Sequence, residues 1–216
     1  MLTTQNYHCA IEDLGTIDYN AAYAIQKQAV EEVISTGKQR IIFCEHPAVI
    51  TMGRASHDEN LFLSRQQIKD RQIAVLYIDR GGDITLHAPG QLVVYPILNL
   101  NYYGKDLKAY LHTLEQVVID LLSDFGILAT RFEGRTGVWT DQKKICSLGI
   151  GVRKWVAYHG LGLNVNTDLN LFSMIRPCGL DVAMTSLKSL KKHSIDMRDV
   201  KQKCVNHFQK HFSLII

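Results

Sequence analysis

The sequence predicts an α+β fold: a mixed, largely antiparallel sheet with flanking helices. Three observations lead there. Residues 19–36 and 107–125 repeat apolar side chains at helical spacing. Short apolar runs follow one another as hairpins, without the strand–helix alternation of a parallel sheet. No linker, repeat or low-complexity tract interrupts the 216 residues, so one domain spanning 1–216 is expected. The composition agrees. At 46% apolar and 21% charged it is ordinary for a globular protein, and a chain this long buries roughly 70% of its unfolded surface. Disordered, collagen-like and low-complexity classes are excluded. A net charge of +3 is too small to argue for a nucleic-acid partner.

In chain order, the first helix places Tyr19, Ala22, Tyr23, Ala29, Val30, Val33 and Ile34 on one face, with Asp18 as N-cap and Gly37 as C-cap. Strands are expected at 41–44 and 49–52 around the Glu45-His46-Pro47 turn. Ser64 and Gln67 form a capping box for a short helix near 65–71. Strands follow at 74–78, 84–87 and 91–98, with Pro96 pointing to an edge or a bulge. The helix at 107–125 carries a broad stripe from Leu107 to Phe125, between Asp106 and Gly126. Further strands are expected at 127–131, 137–140, 145–152 and 156–165, with a hairpin turn at 141–143. A last helix near 197–212 presents Met197, Val200, Cys204, Phe208 and Phe212 on one side. The N-terminal stretch has no basic or apolar targeting region and contains Glu12 and Asp13. No window approaches eighteen apolar residues. A soluble, cytoplasmic protein is the expectation.

Twelve of the fifteen glycines fall between Gly81 and Gly179, which directs attention to three segments there. The first, Arg80 to Gln91, has paired glycines that let backbone approach a ligand, flanked by Arg80 and His87; a plain tight turn explains it as well. No Gly-Lys-Ser/Thr follows, so it is not a phosphate-binding P-loop. The second runs from Lys144 to Gly151, with Tyr158 to Asn164 beyond it. Strict alternation puts Lys144 on the face of Cys146, and a solvated lysine at a hairpin end is the plain reading. His159, between Tyr158 and Gly160, suits a ligand site or a satisfied core position. The third is Arg176-Pro177-Cys178-Gly179.

Of the five cysteines, Cys204 lies on an apolar helix face, Cys44 and Cys146 lie in apolar strands, and Cys9 is near a terminus expected to be mobile. Buried thiols behave as small hydrophobes. Cys178, on a Pro-Cys-Gly loop, is the best nucleophile candidate, against the blander reading of a structural loop thiol. An odd count without CxxC spacing argues against a disulfide framework. No short zinc-type spacing links Cys146, Cys178, His87 and His159, so no metal is expected.

Together these segments resemble the lipoyl(octanoyl) transferase family. Glu45 to Arg54 is similar to its EHxPVxTxGR block and Arg80 to Gln91 to RGGxxTxHGPGQ. Gly137-Val138-Trp139 with Lys144 to Gly149 resembles GVW…KIxSLG; His159 to Val165 and Pro177-Cys178-Gly179 resemble HGLALNV and PCG. The blocks hold their order from about residue 13 to 187. Ala88 stands where the family usually has glycine, and Gly162 where it often has alanine. The resemblance implies one octanoyltransferase catalytic domain over 1–216, sharing its fold with biotin and lipoate protein ligases. It implies octanoyl-acyl carrier protein as donor. The implied acceptor is a lysine on the lipoyl domain of a 2-oxoacid dehydrogenase or on the glycine-cleavage H protein. It implies Cys178 as the thioester nucleophile and Lys144 as its partner. The acyl site it implies is lined by Arg80, Gly81, Gly82, Asp83, Ile84, Thr85, Leu86, His87, Ser147, Leu148, Gly149, His159, Gly160, Leu161 and Gly162. The donor thioester is already activated, so neither ATP nor a cofactor is expected. The alternatives are an ATP-dependent lipoate or biotin ligase of the same fold, and a non-catalytic protein that binds acyl carrier or lipoyl domains. Lys188, Lys191, Lys192 and Arg198 form a basic run that suits either an acidic partner or a solvated face.

Overall fold

The structure, a computed structural model, describes residues 6–177 and 182–216. Among these the strands are β1 (Tyr7–Thr16), β2 (Gln39–Glu45), β3 (Val49–Met52), β4 (Ala74–Tyr77), β5 (Ile84–His87), β6 (Gln91–Ile97), β7 (Thr130–Phe132), β8 (Arg135–Thr140), β9 (Lys143–Arg153), β10 (Val156–Asn164) and β11 (Leu214–Ile215). The helices are α1 (Tyr19–Thr36), α2 (Arg65–Asp70), α3 (Leu107–Ser123), α4 (Leu187–Lys191) and α5 (Met197–Phe212).

The helix ends follow from their caps. The Asp18 carboxylate accepts from the Asn20 and Ala21 N–H groups, and Gly37, at φ 74°, returns its N–H to Val33. Asp106 caps α3 in the same way, and Ser64 and Gln67 complete the capping box of α2. Among the described strands, eight form one sheet in the order β11-β1-β2-β6-β10-β9-β8-β7. Pairing is parallel from β11 through β1 to β2 and antiparallel from β2 to β7. Ile41 and Phe43 of β2 face a large core shared with α3 and α5, while Ile42 and Cys44 face α1. Both faces are covered, which is why β2 reads as a continuous apolar run. A smaller sheet, β4-β3-β5, encloses a third core with Ile68 of α2.

The structure departs from the sequence reading in four places. Residues 7–16 form β1 rather than a mobile terminus, and Cys9 is 5% exposed in the large core. The acidic Glu12 and Asp13 break the alternation that would have announced this strand. Pro96 lies in β6, in the interior of the sheet and not at an edge. It pairs with Ile41 of β2. On the β10 side the ladder runs from Asn164↔Gln91 to Leu161↔Val94 and then stops. Carried on, that register puts Pro96 opposite His159. Proline has no N–H to donate, and His159, at φ 56°, turns its own N–H to the Gln26 side chain (2.9 Å). The proline thus sits where the ladder is interrupted. Strict alternation also fails in β9. Val138 pairs with Cys146 but Trp139 pairs with Lys144, so Ile145 is an extra residue, and Ile145 and Cys146 both pack into the large core. The α4 helix and β11, too short to carry a period, were not expected.

Candidate active site

The interruption at His159 and the bulge at Ile145 flank a cleft. It is lined from α1, β5, β6, β9, β10 and the loop before β5. Arg80, Gly82, Asp83, Thr85, His87, Ser147, Leu148, Gly149, His159, Gly160, Leu161 and Gly162 line it, together with Tyr19 and Tyr95. Three of the residues assigned from sequence stand elsewhere. Ile84 and Leu86 point from the other side of β5 into the small core, because neighbouring strand residues face opposite ways. Gly81 is not in the cleft lining; its N–H bonds to Ile150 O (2.8 Å) and it borders an adjoining hollow. Tyr19 and Tyr95 were missed as cleft residues. In the sequence Tyr19 belongs to an apolar helix stripe, although a tyrosine at a helix start also offers a hydroxyl.

Buried polar groups hold this cleft in shape. Arg80 is 7% exposed and donates to Thr51 O (2.7 Å), Thr51 Oγ1 (3.0 Å) and Gly81 O (3.1 Å). Asp83 accepts from the Ile84 N–H (2.7 Å) and from Asn60 Nδ2 (2.5 Å). Gly160 and Gly162 make room. A Cβ at Gly160 would stand 2.2 Å from Val94 O, and one at Gly162 2.9 Å from Gln91 Oε1. Ala88, the departure from the family pattern, buries its methyl in the small core, and the positive φ of that turn falls on Gly90 at 82°.

Three histidines shape the electrostatics. His46 hydrogen-bonds Ile17 O through Nδ1 and the Tyr95 hydroxyl through Nε2, both at 2.7 Å. His87 Nδ1 meets Gln91 Oε1 at 2.7 Å, and the Gln91 amide nitrogen is committed to Leu86 O and Asn164 Oδ1. That network makes Nδ1 the donor and leaves Nε2 of a neutral His87 as an acceptor. Burial, reinforced by the nearby His46, pulls His87 down to about 3. Burial pulls His159 down to about 4 against the opposing hydrogen bond from its Nε2 to Asp79 (2.8 Å). Asp79 also accepts from Tyr23 (2.6 Å) and Tyr158 (2.8 Å). Burial pushes its carboxyl up, but these three bonds outweigh that and hold it well below the usual range. His159 is therefore a fixed wall of the cleft with its ring oriented by Asp79.

A pH dependence follows. In the folded protein His87 and His159 stay neutral, whereas in the unfolded chain each protonates near its ordinary pKa of about 6.5. Stability is complete above that pH and declines as the pH falls toward about 4 for His159 and about 3 for His87. Each contributes a slope of about 1.4 kcal/mol per pH unit in that window. Urea midpoints are expected to be distinctly lower near pH 5 than near pH 7. An unchanged midpoint would show that these imidazoles are not held neutral.

Lys144 lies beside the cleft and is not in its lining. Its side chain is fully buried, contrary to the solvated lysine the sequence suggested. Nζ donates to Thr136 O at 2.9 Å and lies 5.3 Å from the Trp139 ring centroid. The second hollow shares Gly82, Asp83, Leu148 and Gly149 with the cleft and extends to Thr136. Gly137 gives the lysine its path. At φ 135°, its Cβ would be 2.5 Å from Lys144 Cε. Its N–H is held by Glu115 Oε1 of α3 (2.9 Å), a buried carboxylate whose other oxygen pairs with Arg131 (3.0 Å). Gly137→Ala is expected to lower turnover by about 100-fold or more through misplacement of Lys144. The strain should cost only about 1–3 kcal/mol of stability. Turnover set beside a urea midpoint separates the two effects, and a wild-type rate would refute the placement.

Cys178, with Gly179, Leu180 and Asp181, lies outside the described residues. Its described flanks are both anchored at the site. Arg176 N–H donates to Asn60 O (2.7 Å), on the residue that holds Asp83. Beyond the segment, Lys144 N–H donates to Ala183 O and Thr185 N–H to Lys144 O, each at 2.9 Å. The four described cysteines are poor thiolates. Burial pushes Cys9 and Cys44 up to about 12 and Cys146 and Cys204 higher.

The chain that carries this fold and cleft matches a known class. The lipoyl protein ligase A/B catalytic domain matches residues 18–209. An octanoyltransferase of Syntrophotalea carbinolica is 47% identical over 201 residues, covering 92% of each chain. An octanoyltransferase of Bacteroides fragilis is 44% identical over 203 residues, covering 88% of this chain and 92% of the relative. This chain belongs to that family, on its octanoyltransferase branch, and is an acyltransferase. Solved structures share the fold. The bipartite lipoate protein ligase of Thermoplasma acidophilum superposes with a TM-score of 0.75 at 16% identity, covering 98% of this chain and 86% of that one. The biotin protein ligase of Aquifex aeolicus gives 0.57 at 17% identity, covering 97% and 71%. Among the described residues no helix is long and apolar enough to cross a membrane.

Proposed function

We propose that the chain, as one catalytic domain over residues 1–216, moves an octanoyl group from octanoyl-acyl carrier protein to a lipoyl-domain lysine. The acyl group is carried on Cys178 as a thioester, in the cytoplasm. The acceptors are lipoyl domains of 2-oxoacid dehydrogenases and the glycine-cleavage H protein. The observation that carries this reading is the buried Lys144, whose backbone is hydrogen-bonded to Ala183 and Thr185, just beyond the Cys178 segment. The names of the relatives support it.

In the first half-reaction the Cys178 thiol gives its proton to Lys144 and the thiolate attacks the donor carbonyl. An ordinary thiol, with a pKa near 8.5, is only a few per cent ionised at neutral pH, so a paired lysine raises the reactive fraction. The carbonyl carbon–sulfur bond to the donor breaks, and Lys144 returns the proton to the departing thiol. In the second half-reaction the acceptor amine attacks the enzyme thioester, Lys144 takes the amine's proton, and the Cys178 thiol re-forms. Backbone N–H groups that meet the tetrahedral oxyanion contribute roughly 3 kcal/mol each. The acyl chain lies along Leu148, Leu161 and the glycines of the cleft, each buried CH₂ adding about 0.8 kcal/mol.

The fold is shared with ATP-dependent ligases, which defines the test. Octanoyl-acyl carrier protein and an apo lipoyl domain are incubated with the protein, with ATP omitted. Octanoylation of the domain is expected. Transfer that occurs only from free octanoate plus ATP would make it a ligase, and binding without transfer would make it a non-catalytic partner.

A further inference from the structure

We infer that the outer face between α3 and α5 binds one divalent transition-metal ion, zinc by its donor set, through Asp120, His207 and His211. The spacing of Cys146, Cys178, His87 and His159 predicts no metal among them, and this group lies elsewhere, on helices α3 and α5. His207 and His211 are one turn apart on α5, the spacing that puts two imidazoles on one side of a helix. Asp120 faces them from α3, and one potential ligand atom from each of the three lies within 4.8 Å of the others. Two imidazoles, a carboxylate and a water make a four-coordinate set that suits zinc.

Outer groups already orient these ligands. Gln116 Nε2 donates to Asp120 Oδ1 (2.6 Å), so Oδ2 faces the histidines, and His211 Nε2 is 2.8 Å from it. His207 Nε2 is 2.8 Å from Asp124 Oδ2. The Gln116 bond to Asp120 and the Asp124 contact to His207 are the kind of outer support that metal ligands use, and the His211–Asp120 contact already brings two of the three ligands together. Metal–ligand bonds of about 2 Å place tetrahedral donors roughly 3.3 Å apart, so the side chains must close by rotation. His207 and His211 are partly exposed, and each gives up or shares its present carboxylate contact as it turns toward the ion. The competing charge is Lys210, whose Nζ is 3.1 Å from Asp120 Oδ2; its side chain is 66% exposed and can swing into solvent as the ion enters. The ion would clip α5 to the helix that carries Glu115, the residue that holds Gly137 against Lys144.

The test is a calorimetric titration of the full chain with zinc chloride in metal-free buffer. One equivalent is expected to bind. Affinity should fall at least tenfold in His207→Gln, in His211→Gln and in Asp120→Asn, and stay unchanged in Cys178→Ser and in His193→Gln. Zinc should raise the melting temperature of the wild type, reversibly on adding a chelator, and leave that of the double histidine variant unmoved. Cobalt substitution in the wild type adds a readout that needs no variant, a tetrahedral visible spectrum without thiolate charge transfer. No saturable equivalent, equal affinity in the ligand variants, or a thiolate band with cobalt would each overturn the assignment.

Discussion

Lys144→Met is expected to lower acyl transfer by about 100- to 10,000-fold, the range for loss of a general base, while the chain stays folded. The side chain is fully buried between Gly137 and the Trp139 ring, and methionine fills a similar volume without an amine. Removing a buried amine also removes the cost of its desolvation, so the urea midpoint should hold or rise. Lys144→Arg should not rescue the rate. A guanidinium does not release a proton at working pH, and the Cβ-free gap at Gly137 has no room for its fork. A full-rate Lys144→Met variant would take the lysine out of the chemistry and leave it as a packing residue.

Cys178→Ser is expected to lower transfer by roughly 10,000-fold or more, since a serine hydroxyl is far less ionised and far less nucleophilic than a thiol. The double variant Cys178→Ser/Lys144→Met should be hardly worse than Cys178→Ser alone, because residues that act as one unit do not add. Fully additive losses would mean that the two act in separate steps. The other cysteines give no fallback nucleophile among the described residues, as burial disfavours each of their thiolates.

Much of the fold is legible in the sequence because it is written in caps and periods. Asp18, Gly37, Ser64, Gln67 and Asp106 end helices as their side chains dictate. The cleft is legible in its glycines, since Gly160 and Gly162 stand where a Cβ would meet the neighbouring strand or its side chain. What escapes the sequence depends on tertiary pairing. β1 is marked by no regular alternation and is held by β2 and β11 on its two edges. Ile84 and Leu86 belong to the Arg80–Gln91 segment but face the small core, as alternation along β5 requires. The burial of Lys144 could not be read from residue type, because it depends on Gly137 across the hairpin and on the bulge at Ile145. His207 and His211 carry a visible spacing, yet only the packing of α5 on α3 brings Asp120 to them.

The most direct test of the central proposal is an intact mass of the protein after brief exposure to octanoyl-acyl carrier protein with no acceptor present. The account predicts a single octanoyl adduct, released by hydroxylamine, mapped to Cys178, absent in Cys178→Ser and discharged on adding an apo lipoyl domain. An unmodified protein that still octanoylates the domain, or an adduct retained in Cys178→Ser, would contradict it.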